Sequence, residues 1–135
     1  MTRLPNWPDR LTQFIVSRKA MPFEWGKHDC CLFAADAANA ITGKDAAAAF
    51  RGKYRTELGA MRAIKRYGKG NIADTFSHAF GEPVPRLLAR RGDIVLLEYD
   101  GADTVGVSYG DIVVAGKDGV VTVSRLLVKQ VWRVG

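Results

Sequence analysis

The chain of 135 residues has two cysteines, two histidines and no long apolar run, and each scarcity removes a class of function. Uninterrupted apolar stretches, such as Ile94 to Leu97, fall far short of the roughly 20 residues a helix needs to cross a bilayer. Met1 to Arg10 holds two prolines, a tryptophan and an aspartate where a secretory signal would need an apolar segment, so the protein is expected to be made and folded in the cytosol. Cys30 and Cys31 are neighbours; a bridge between them would be strained, so both are expected reduced and no disulfide framework is available. There is no C-x-x-C spacing, glycine-rich phosphate loop, helix-turn-helix signature or internal repeat. His28, Cys30, Cys31 and His78 have the ligand types of a metal site, but adjacent helical residues point about 100° apart, and neither metal nor cofactor is expected.

What is present belongs to one ordinary domain. Hydrophobic residues at 47% and charged residues at 25% are globular values, and a chain of this length buries roughly two-thirds of its unfolded surface around a single core. The net charge of +6 is concentrated in the middle third, at Arg51, Lys53, Arg55, Arg62, Lys65, Arg66, Lys69, Arg86, Arg90 and Arg91. Such a bias attracts nucleic acid, an acidic cell-wall polymer or an acidic protein surface, but solvated helix faces are the plainer explanation.

Trp25 to Ile41 organises the chain. Asp29 is a good helix cap, Cys30 then takes the first helical position, and Phe33, Ala34, Ala37, Ala40 and Ile41 recur at three-and-four spacing until Gly43 stops the helix. A thiol at that end meets unpaired backbone N–H groups and the positive pole of the helix, which favours the thiolate; packing a small apolar residue explains the cysteine as well. Around this stretch the spacing predicts helices from Asn6 to Arg18, from Asp45 to Phe50, from Thr56 to Gly68 and from Ile72 to Phe80. Gly81, Pro83 and Pro85 then end the helical half, residues 1–85. From Gly92 the period is that of strands: Asp93 to Tyr99, Thr104 to Tyr109, Asp111 to Ala115, Val120 to Arg125 and Lys129 to Val134, separated by Asp-Gly, Tyr-Gly and Lys-Asp-Gly turns. Such short links leave no room for crossover helices, so residues 86–135 are expected to form an antiparallel, meander-like sheet and the whole an α+β domain.

The Asp-Cys helix start, the strand Arg91-Gly92-Asp93-Ile94-Val95-Leu96-Leu97 and the Val105-Gly106-Val107 segment resemble the NlpC-type, papain-like cell-wall cysteine peptidases, and more closely a phage-encoded branch found among tail-tip genes. The resemblance runs from about Phe23 to Arg133 and implies a papain-like fold, with helices packed on an antiparallel sheet. It also implies that the nucleophile falls on Cys30, the histidine base on Thr104 and the residue orienting that base near Val114. Threonine cannot take a thiol proton at neutral pH and valine cannot hold an imidazole, so two of the three roles are vacant. His28, two residues before Cys30, is the candidate for a relocated base; His78 has no spacing argument for approach.

The expectation is therefore a virion protein of a phage or prophage tail tip, keeping the peptidase fold without its hydrolysis and acting through contacts with other tail-tip and hub proteins. The alternative is an active peptidoglycan endopeptidase or amidase used during genome delivery, with Cys30 as nucleophile. A nucleic-acid module in the tail lumen rests on charge alone.

Overall fold

A computed structural model describes residues 1–135. Its order is helices first, then sheet: α1 (Trp7–Arg18), α2 (Cys30–Thr42), α3 (Glu57–Tyr67), α4 (Ile72–Phe80), then β1 (Ile94–Tyr99), β2 (Ala102–Tyr109), β3 (Asp111–Gly116), β4 (Gly119–Val123) and β5 (Val128–Trp132). The chain is thus α+β. No helix is long and apolar enough to cross a membrane.

Local chemistry fixes the helix ends. The Asp29 carboxylate accepts the Leu32 N–H at the start of α2, and Gly43, at φ 77°, takes the left-handed conformation that closes it. Thr56 and Asn71 cap α3 and α4 through the Gly59 and Asp74 N–H groups. Asn6, by contrast, makes no side-chain cap on α1, where Pro8 lies in the first turn. Asp45 to Phe50 is a series of turns and not the expected helix. Only seven residues separate Lys44 from Gly52, too few to offset helix nucleation, and the Asp45 carboxylate binds the Ala47 N–H and the Arg51 guanidinium.

The sheet is antiparallel, in the order β4-β3-β2-β1-β5. Asp100 and Gly101, both at positive φ (53° and 79°), make the tight turn between β1 and β2. Four strands meander as expected. The fifth departs from the meander: Arg125–Leu127 forms a single 3₁₀ turn after β4, and β5 pairs with β1 at the opposite edge. β5 thus covers the edge of β1 and leaves β4 as the other edge of the sheet.

Alternation splits the sheet into two faces. Ile94, Leu96, Val105, Val107, Val113 and Ala115 pack with Phe33, Ala34, Ala37 and Ile41 of α2 and with Leu11 and Ile15 of α1 in the main core. Val95, Leu97, Ile112, Val114, Val128 and Val131 form a second cluster on the other face. The alanines of α2 bring its axis close to the sheet, and burial on nearly every side makes it the central helix. Trp132 joins α4 to the sheet, stacking near Phe76 and donating its indole N–H to the Ser77 hydroxyl at 2.9 Å.

Candidate functional site

Cys30 sits, half-buried, at the head of α2 and packs against the main core. Its Sγ lies 4.0 Å from that of Cys31. Donation from the Cys31 thiol lowers the Cys30 pKa from the ordinary thiol range; the Val105 and Cys31 backbone N–H groups act in the same direction, while burial and the Asp29 charge oppose it. Cys31 moves the other way: donating to Cys30, together with burial, holds its thiol protonated. Cys30 is therefore the first of the pair to ionise. Cys31 instead lines a small apolar cavity of about 50 Å³ with Trp25, Leu32, Phe50, Phe76 and Phe80.

The aspartate before the thiol is structural. Asp29 is buried and accepts three hydrogen bonds, from Leu32 N–H and Gly26 N–H, both at 2.9 Å, and from the Tyr54 hydroxyl at 2.6 Å. Burial first, and then this bond to Asp29, raise the Tyr54 pKa, so its hydroxyl remains a donor. Gly26, at φ 87°, passes so close to the Tyr54 carbonyl that no side chain fits there.

His28 is fully buried and both its ring nitrogens are engaged elsewhere. Nε2 lies 2.9 Å from the Gly119 carbonyl, which can only accept, and Nδ1 lies 3.2 Å from an Arg18 guanidinium nitrogen, which can only donate. The ring is thereby fixed as the neutral Nε2–H tautomer, with its one lone pair turned to Arg18. It ties the loop before α2 to the β3–β4 turn. Its edge meets the Phe33 ring, and no hydrogen bond joins it to Cys30.

Thr104 and Val114 are on the wrong side of the sheet for the thiol. Thr104 pairs with Leu97 in the antiparallel register, on the face of the second cluster, and its hydroxyl donates to the Ala102 carbonyl at 3.2 Å. Val114 is a fully buried member of that cluster. A Cβ on Gly106 would meet Val114 Cγ1 at 2.7 Å, which confirms that 104, 106 and 114 share this face. Cys30, with Val105 and Val107, belongs to the other. His78 is exposed on α4. No group of three or more His, Cys, Asp or Glu side chains is placed to hold a metal ion.

Sequence reasoning took Gly92-Asp93 as the opening of a strand and missed its work. Asp93 is completely buried. One carboxylate oxygen accepts from Arg3 at 3.1 Å and the Val134 N–H at 3.3 Å, the other from the Arg90 N–H at 2.8 Å and Arg133 at 3.1 Å. An aspartate directly before an apolar strand, in a chain rich in arginine, was the available signal. Its partners are 90 and 40 residues away, and no local pattern reports them.

A family profile described as a domain of unknown function (DUF6950) matches residues 2–134. No curated protein matches the chain.

Proposed function

We propose that this chain, which belongs to the DUF6950 family, is a structural component of a phage or prophage tail tip that keeps a papain-like, NlpC-type fold without its hydrolytic chemistry. The Asp-Cys helix and the Arg-Gly-Asp strand carry the likeness to that peptidase fold. One observation carries the loss of chemistry: nothing within hydrogen-bonding reach of the Cys30 sulfur can take its proton. His28 has both nitrogens engaged by Arg18 and Gly119, and Thr104 and Val114 lie on the opposite face of the sheet. A nucleophilic thiol without a base lacks the unit that splits acyl transfer into two manageable steps.

The function is then contact with neighbouring tail-tip and hub proteins in the virion. Two surfaces suit it. The outer side of α3 exposes Leu58 and Met61 beside Arg62, Lys65 and Arg66, and β4 and β5 end the sheet at its two edges.

A cell-wall cysteine endopeptidase is the second reading, favoured by the lowered pKa of Cys30 at a helix head. Incubation with peptidoglycan fragments separates the two. The structural reading expects no fragment release beyond that of Cys30→Ala; release abolished by Cys30→Ala would establish the enzyme.

A further inference from the structure

At the other end of α2, about 20 Å from Cys30 by the helix rise, an open cleft of about 340 Å³ is lined by Arg3, Arg90, Arg91, Arg133, Trp7 and Gly135. We propose that this cleft is a binding site for a phosphate-class polyanion. The apolar cavity beside Cys31, at about 50 Å³, is too small for a ligand, whereas the arginine cleft falls in the range of small-molecule sites.

Three of the four guanidiniums are placed before any ligand arrives. Arg3 is held on three sides, donating to the Val134 carbonyl at 2.6 Å, the Arg91 carbonyl at 2.8 Å and Asp93 at 3.1 Å, and it lies 4.3 Å over the Trp7 ring. Arg133 donates to Asp93 and to the Leu88 carbonyl. Arg91 stacks 4.1 Å over Tyr109. Gly92, at φ 92°, allows Arg3 to lie against the backbone, since a Cβ there would meet its guanidinium at 3.1 Å. Preorganised forks of this kind match tetrahedral oxyanions better than flexible lysines do.

Charge bookkeeping points to a polyanion. Counting side chains alone, four guanidiniums face the cleft against the single buried carboxylate of Asp93, an excess of three positive charges. The Arg3 pKa is lowered, by burial first and then by the charges of Arg133 and Arg90, with Asp93 opposing. The Arg90 side chain makes no hydrogen bond within the chain, so its donors are free for a ligand. A lone carboxylate would neutralise one charge of three, whereas pyrophosphate, a sugar phosphate or a run of phosphodiesters matches the excess. The site is independent of Cys30 and holds whether or not the thiol is catalytic.

Calorimetric titration with inorganic pyrophosphate tests it, using the whole protein and the variants Arg90→Glu, Arg91→Glu and, as a remote control on α3, Lys65→Glu. The expected result is one saturable site, weakened about tenfold or more by either arginine reversal and left nearly unchanged in the control. Arg90→Gln, which removes the charge with little perturbation, must weaken binding in the same direction. A parallel titration with a short single-stranded oligonucleotide identifies the source of the phosphate. Competition with pyrophosphate assigns the site to a nucleic-acid backbone; pyrophosphate binding without it assigns a small phosphorylated molecule. Absence of saturable pyrophosphate binding, or an equal loss in Lys65→Glu, would overturn the proposal.

Discussion

Asp93 and Asp45 show how differently two carboxylates serve one chain. Asp93 is buried with every oxygen committed, so truncating it strands Arg3 and Arg133 together and unpairs the Val134 and Arg90 amides. Asp93→Ala is expected to lose about 3–5 kcal/mol in urea unfolding, the scale for breaking one partner out of a buried ion-pair cluster. Asp45 is nearer the surface, and hydrogen bonding to Arg51 lowers its pKa. The unfolded chain then binds that proton at higher pH than the folded one. The stability it contributes is complete above the ordinary aspartate range and is lost as pH falls through the lower folded value. Arg51→Gln should therefore be less stable than wild type near neutrality, and the gap in melting temperature should narrow on acidification from about pH 5 to about pH 3. At this scale the sequence was legible where the chemistry is local. The Asp29 cap and the Gly43 stop could be read from their neighbours. The occupation of His28 by Gly119, 91 residues away, could not.

Among the elements, β2 carries a close backbone constraint. Its Gly106 faces the Val113 carbonyl and Val114 Cγ1, each 2.7 Å from where a Cβ would be. Gly106→Ala must push β3 away and is expected to destabilise the domain by about 1–3 kcal/mol, read by thermal or urea unfolding, with Val114→Ala recovering part of the loss. Long periodic elements were foreseeable: α2 and the first four strands follow their apolar spacing closely. Asp45 to Phe50 was not, because four alanines favour a helix that their side-chain and glycine neighbours then cut short. The placement of β5 also escaped a local reading. Strand pairing depends on which edge is vacant, and only the assembled β1–β4 sheet defines that.

Over the whole molecule, α2 separates two functions of charge. Its head holds a thiol whose acidity comes from Cys31 and backbone N–H groups, and beside its tail lies a cationic cleft built on Asp93. The basic bias visible in the sequence is thus divided between the exposed face of α3 and this cleft, a division that composition alone does not contain. A thiol without hydrolytic chemistry requires that Cys30 lack an imidazole partner, and the alkylation rate of Cys30 against pH, in wild type and in folded His28→Gln, tests that most directly. The midpoint is expected below that of a free thiol and unchanged by the substitution, since His28 gives the sulfur nothing. A midpoint that rises by about one pH unit or more in His28→Gln would show a thiolate–imidazolium pair and contradict the account.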